Sequence, residues 1–465
     1  MKKTLLALLL LVSMLVNIFA MTSCNLGGNN GGGNGEVEGK INIVFYHTMG
    51  ENLRTVLNNY IKSFEELFPN IHIIHEQVGS YDDVRDTIST ELTVGGQPNL
   101  AYCYPDHVAL YNVAMAVVVL DDYIDFEGSY TFADGVTIDN IGLSQEQKDD
   151  FIQGYYEEGR QFGDNLMYTL PLSKSTEVLY YNKTFFQKEG LSVPTTWEEM
   201  EAVCAYIKDK YPDSTPLGYD SEANWFITMC EQLGTDYTSA TGEHFLYNNA
   251  ENRAFVKQFR EWFVKGYVTT QDILGGYTSD IFTKQQSYMS IGSSAGAKHQ
   301  APDDGSFEVG IAPIPQADAS NCKVISQGPS LCILASGNDD KDMASWLFMK
   351  YLTTDVGFQA EFSEASGYVP VIKSVANDEF YQDFLESADG YDTGIAALSA
   401  KVCLDQESYY YTSPAFNGSS TARDQVGALL QKCFAITGND DAAIDAAIQN
   451  AFAESVAECK YQVGN

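Results

Sequence analysis

The chain has 465 residues, with 63 acidic side chains against 27 basic ones, a formal charge of −36 and 45% hydrophobic residues. That length and composition suit a globular protein of more than one well-filled lobe. So acidic a surface argues against nucleic acid as a partner and against lying flat on anionic lipid.

Residues 1–23 read as a signal peptide: Lys2-Lys3 is a basic start, and Leu5 to Ala20 is apolar apart from Ser13 and Asn17. The apolar run is short for a membrane span of roughly 20 residues. Met21-Thr22-Ser23-Cys24 resembles a lipobox, although Met21 stands where leucine is usual, and this makes Cys24 the expected site of lipidation. Residues 24–40 are rich in Gly and Asn and predict a flexible tether between lipid and folded chain.

Order is expected from Ile41. Ile41 to His47 predicts a buried strand, Leu53 to Leu67 a helix, Ile71 to Gln77 a second strand, Tyr81 to Val94 a second helix and Asn99 to Tyr104 a third strand. Strand and helix alternating at this spacing predict an α/β sheet with cleft residues at the carboxyl ends of its strands. Pro105 to Leu120 is apolar and is expected to be helical. Leu170 to Tyr206 is a junction: a polar Ser-Lys-Ser-Thr cluster, a strand-like Glu177 to Tyr181, then Thr196-x-x-Glu199 as a capping box ahead of Trp197, Met200, Val203, Cys204 and Ile207 at helical spacing. Helices follow near Trp225 to Leu233 and Glu251 to Phe263, strands at Val309 to Ile314 and Leu331 to Ala335, and a helix at Lys341 to Leu352; the remainder is mostly helical.

Enzyme chemistry finds no support. His72 and His75 are three apart in a strand and point to opposite faces, His75-Glu76 lacks the second histidine of H-E-x-x-H, and the chain has no P-loop. No cofactor and no metal is expected. Among the cysteines beyond Cys24, none forms a C-x-x-C pair; Cys204 and Cys433 fall on apolar helix faces as buried thiols, and the sequence leaves open whether Cys322 and Cys332 pair across a short loop.

The run L-P-x-S-x-S-T-x-x-L-Y-Y-N-K from Leu170, continuing through G-L-x-x-P-x-T-W-E-E, resembles the hinge and first second-lobe strand of family 1 extracellular solute-binding proteins, the carbohydrate- and glycerol-3-phosphate-binding type that serves ABC importers. The likeness extends over about Ile41 to Phe434. It implies a two-lobed α/β fold of the type II periplasmic-binding-protein kind, its lobes joined by multiple crossovers with the ligand cleft between them. Lobe one would be residues 41–169 plus 328–368, and lobe two residues 170–327 plus 369–465. It also implies a monomer, a sugar or glycerol phosphate as ligand, an ABC permease as partner and contact with the membrane through the lipid anchor alone; an exported carbohydrate-active enzyme is the remaining alternative.

Carried over residue by residue, the resemblance nominates a cleft tyrosine at Tyr81 and a hydroxyl acceptor at Asp106, where the family has a glutamate. It further nominates a hinge serine at Ser173 or Ser175, a second serine at Ser293 or Ser294, and Gly328, whose missing side chain permits backbone approach. Tyr368 and Arg423 complete the set, the latter in Ser419-Ser420-Thr421-Ala422-Arg423, and Trp225, after a polar loop, is the expected stacking tryptophan. An arginine fork at Arg423 suits a phosphate, and it equally serves sugar hydroxyls.

Overall fold

In the computed structural model the described residues are 35–392 and 394–464; the expected signal segment and Cys24 lie outside them. The chain forms β1 (Ile41–His47), β2 (Ile71–Gln77), β3 (Leu100–Cys103), β4 (Leu170–Pro171), β5 (Glu177–Asn182) and β6 (Leu217–Tyr219), then β7 (Val268–Thr270), β8 (Met289–Ser293), β9 (Val309–Pro313), β10 (Val324–Ile325), β11 (Ser330–Ile333) and β12 (Tyr410–Tyr411). Two five-stranded sheets result, in the orders β2-β1-β3-β11-β4 and β9-β5-β8-β6-β7, while β10 pairs with β12.

In the first sheet β1 runs parallel to β2 and β3, with Ile41 opposite Ile71 and Phe45 opposite Leu100, and β11 runs antiparallel to β3 and β4. Ile43, Phe45, Ile71 and Ile73 face a core closed by Phe64 from the Glu51–Leu67 helix and by Trp346 and Phe348 from the Asp339–Thr354 helix. In the second sheet β8 is parallel to β6 and antiparallel to β5. Alternate residues of β5 enter different cores: Val178 and Tyr180 join Ile395 and Ala400, whereas Leu179 joins Trp197, Trp225 and Trp262. Both faces of this strand are therefore covered, so it reads as a continuous apolar run without polar alternation.

Between the sheets the chain crosses at residues near Lys174, Gln327 and Val369. These segments bond to one another: Ser175 and Gln327 exchange backbone bonds of 2.9 and 2.8 Å, and Lys174 and Val369 exchange bonds of 3.1 and 2.7 Å. The result is a short ribbon linking the lobes. Gly328 has φ +95° there, and a Cβ at that position would stand 2.5 Å from the Ser173 carbonyl oxygen. The close approach its hydrogen permits is that of the neighbouring crossover, not of a ligand.

The Trp197–Lys210 helix is capped as expected by Thr196, whose Oγ1 accepts from the Glu199 N–H at 3.2 Å, but the Glu199 carboxylate reaches back to the N–H and hydroxyl of Thr195 rather than to Thr196. The expected Pro105 to Leu120 helix ends at Asn112. Met115 takes φ 52° and Val117 forms a β-bridge to Leu334, so the valine-rich second half of that apolar run is extended along the first sheet. The pairing of Cys322 with Cys332, open in the sequence, is not made: Cys332 is buried in β11, Cys322 lies half-exposed in a loop, and both are free thiols. Cys204 and Cys433 are buried free thiols, as expected.

Candidate ligand-binding cleft

The carboxyl end of β3 delivers Tyr104, Pro105 and Asp106, and Pro105 occupies the first turn of the Pro105–Asn112 helix, where its missing N–H costs nothing. Facing them is the start of the Ser419–Phe434 helix. Its Ser420 hydroxyl donates to Asp106 at 2.7 Å, a bond that joins the two lobes and closes the cleft. Burial pushes the Asp106 carboxyl up, but His107, the Ser420 hydroxyl and Arg423 together hold it below its ordinary value. Asp106 is therefore an ionised acceptor at neutral pH.

Arg423 follows Ser420 by three residues and so shares its helix face. Its Nη2 donates to Asn224 Oδ1. Asn224 Nδ2 donates in turn to Glu177 Oε1 at 2.8 Å, and the Tyr219 hydroxyl donates to Glu177 Oε2 at 2.6 Å. Burial lifts the Glu177 carboxyl to about 7 against the pull of Tyr219, Asn224 and Arg423. The guanidinium is thus held from behind by a relay whose last member is poised to take or lose a proton.

Asp106 and Arg423 line a cavity of about 200 Å³ whose walls include Tyr104, Glu158, Tyr237 and Ser326, with the Thr412-Ser413-Pro414 loop at its edge. Glu158 is buried and paired with Lys174 of the crossover ribbon, which also donates to Ser330 Oγ at 3.1 Å. Burial raises the Glu158 carboxyl while Lys174 pulls it back, the net direction being upward. Next to the cavity, Tyr81 stacks on Tyr102 at 6.2 Å and approaches Tyr104 to 4.7 Å between ring centroids, and the phenols of Tyr81 and Tyr368 lie close enough to perturb one another.

Of the nominated residues, Asp106 and Arg423 therefore share one cavity, and Tyr81 and Tyr368 flank it. The others do not converge there. Trp225 is corrected: it is fully buried, sandwiched between Tyr219 at 4.9 Å and Phe259 at 3.8 Å, because its place in the first turn of the Glu222–Leu233 helix turns it into the second core. All four tryptophans are buried, so the aromatic faces of this cleft are tyrosines. Ser173 and Ser175 are buried within the crossover ribbon and do not line the cavity. Ser294 is structural in this conformation, its hydroxyl accepting from the Thr176 N–H at 3.1 Å. Ser293 lines a separate pocket, and Gly328 packs on Ser173.

Sequence reasoning missed Tyr104, Glu158, Tyr237 and the Glu177–Asn224 relay. Tyr104 was accessible to the rule that cleft residues stand at the carboxyl ends of strands, whereas Asp106 came only from the resemblance. A carboxylate heading the otherwise apolar β5 was the available signal for Glu177, since a buried charge demands partners. No local pattern marks Glu158 or Tyr237.

Residues 59–386 match the family model described as bacterial extracellular solute-binding protein. The sn-glycerol-3-phosphate-binding periplasmic protein UgpB of Escherichia coli is 23% identical over 380 residues, covering 77% of this chain and 81% of that protein. A multiple sugar-binding protein of Streptococcus mutans is 22% identical over 357 residues, covering 74% of this chain and 78% of its own length. Among solved structures, the cyclic alpha-maltosyl-1,6-maltose binding protein of Arthrobacter globiformis superposes with a TM-score of 0.69 at 18% identity, covering 90% of this chain and 99% of that one. UgpB of Mycobacterium tuberculosis in complex with glycerophosphocholine gives 0.68 at 18% identity over 90% of this chain and 98% of its own. No helix among the described residues is long and apolar enough to cross a membrane. With two sheet-containing lobes, a closed cleft between them and a family model matched over most of its length, the chain belongs to the bacterial extracellular solute-binding proteins.

Proposed function

We propose that this protein is the lipid-anchored, extracytoplasmic substrate-binding subunit of an ABC importer, capturing a carbohydrate-type solute by closing its lobes and delivering it to the permease as a monomer. The observation that carries this reading is the pairing of Asp106 with Arg423 in one tyrosine-walled interlobe cavity. A sugar hydroxyl both donates and accepts, so it satisfies an ionised carboxylate and a guanidinium at once, while its apolar ring face packs on tyrosine. No bond is made or broken in such a cycle.

A second reading is favoured by Arg423 itself. Its fork suits a phosphate oxygen pair, and a relative is a glycerol-3-phosphate binder, so sn-glycerol-3-phosphate or a glycerophosphodiester is the alternative ligand. Against it stands the ionised carboxylate of Asp106 in the same cavity, which repels a dianion. Calorimetric titration with maltose, maltotriose, glucose, sn-glycerol-3-phosphate and glycerophosphocholine separates the two. Saturable binding of a neutral sugar supports the first reading; phosphate-only binding that Arg423→Ala weakens by about 1.5–3 kcal/mol supports the second. Silence from every member of such a panel, extended over further sugars, in demonstrably folded protein would sink both. The anchor is tested separately: metabolic labelling with a radioactive or clickable fatty acid should mark the wild type and not Cys24→Ala.

A further inference from the structure

A second pocket lies at the carboxyl ends of the parallel strands β6 and β8. It holds about 470 Å³ and is lined by Asp220, Ser279, Asp280, Ser293 and Gln300, with Tyr277 and His299 at its rim. The size falls within the usual range for small-molecule sites.

Its chemistry is one-sided. Asp220 Oδ1 accepts from both the N–H and the hydroxyl of Thr278 at 2.8 Å, while Oδ2 faces Gly292, where any Cβ would stand 2.4 Å from it. The absent side chain of Gly292 is what allows the carboxylate to lie there. Asp280, exposed at the mouth, adds a second negative charge. No Lys or Arg lines the pocket, and Lys298, beside it in sequence, is exposed. Gln300 is only 3% exposed, yet its side-chain Oε1 has no hydrogen-bond partner. A buried amide oxygen without a donor costs on the order of a hydrogen bond's desolvation and points to a missing donor. Burial, with Asp280 adding to it, leaves the Asp220 carboxyl above its ordinary value despite the two Thr278 donors. The pocket thus offers two carboxylates, an orphaned carbonyl, hydroxyls and a phenol ring 63% exposed at Tyr277, and it lacks only a positive, multiply donating group.

We infer that this pocket binds a small organic ammonium, a primary amine or an amino sugar, with the nitrogen between Asp220 and Asp280 and a donor turned to Gln300. An –NH₃⁺ group supplies three donors, and its alkyl or ring carbons pack on Tyr277. The site uses neither Asp106 nor Arg423, so it stands whether or not the interlobe cavity takes a sugar.

The test is differential titration of the full exported chain, by calorimetry and thermal shift, with putrescine and glucosamine against their uncharged counterparts butane-1,4-diol and glucose, at fixed ionic strength. Saturable binding of an amine with at least a tenfold preference over its counterpart is expected, and Asp220→Asn should remove most of that preference. Because Asp220 also ties down Thr278, Asp280→Asn provides the check that leaves the fold untouched; it should weaken amine binding several-fold with an unchanged melting temperature. Equal responses to amine and diol overturn the inference. So does an amine effect reproduced by NaCl or CaCl₂ at matched ionic strength, which would reduce it to general attraction by a chain of charge −36. Loss of amine binding in Asp106→Asn with both Asp220→Asn and Asp280→Asn inert would place the amine in the interlobe cavity and equally overturn it.

Discussion

His47 and His75 form a buried pair whose protons follow from their partners. The Met49 N–H donates to His47 Nδ1 at 3.1 Å, so the neutral ring carries its proton on Nε2 and donates to His75 Nδ1 at 2.8 Å; His75 Nε2 then donates to Asn58 Oδ1 at 3.0 Å. Either ring, once doubly protonated, loses an acceptor it is using. Burial first, then His75 and Arg54, lower His47 to about 3. The unfolded chain therefore binds this proton near 6.5 while the folded chain resists it to about 3, and stability is lost as pH falls through that window, by up to a few kcal/mol. Glu177 has the opposite sign: its folded value of about 7 lies above the ordinary 4.5, so its contribution is present below pH 4.5 and is lost as pH rises through 7. Denaturant titrations across pH should show a flatter acid limb for His47→Gln than for the wild type. Glu177→Gln should gain stability relative to the wild type between pH 4.5 and 7. At the same scale, Trp225→Ala should cost about 3–5 kcal/mol of unfolding free energy, as expected for truncating a fully enclosed aromatic rather than a ligand-facing one.

Among the elements, the crossover ribbon is the most constrained. Gly328→Ala meets both a positive φ and the Ser173 carbonyl, so it should destabilise by more than about 1 kcal/mol in chemical denaturation, whereas Gly96→Ala, with ordinary space around it, should be close to neutral. The strands β1 and β2 were legible to the residue because each is dense in β-branched Ile and Val and is bounded by turn-forming residues, Gly39 before β1 and Pro69-Asn70 before β2. Ala114 to Leu120 was misread because a valine-rich run satisfies helix and strand patterns alike, and only its bridge to Leu334 decides between them. Trp225 was misplaced for a related reason: a loop before a helix leaves the phase of the first turn open by about 100° per residue, enough to move a side chain from cleft to core. The relay behind Arg423 was illegible in principle, since its members stand 47 and 199 residues apart and meet only after the second lobe has folded.

For the molecule as a whole, the Asp106–Ser420 bond is a contact between the lobes made by the protein's own side chains. Ser420→Ala should shift the free protein toward open conformers, read as a larger radius of gyration in solution scattering, and should thereby lower apparent ligand affinity by the fraction of closed form lost. A ligand at a hundred times its dissociation constant should raise unfolding stability by about 2.7 kcal/mol in the wild type, a thermal shift that identifies it. The order of strands in the first sheet carries a further consequence. β11 sits between β3 and β4, although it is made about 160 residues after β4. A nascent chain that has reached the end of the second sheet still lacks the strand that closes the first, and the gap exposes the edges of both neighbours. The amino-terminal lobe therefore cannot mature until Ser330–Ile333 has been made, and a polypeptide destined for export stays threadable until almost three-quarters of it exists. Truncations ending just before Ser330 should remain protease-sensitive across residues 41–171, and those extended past Ser366 should become resistant.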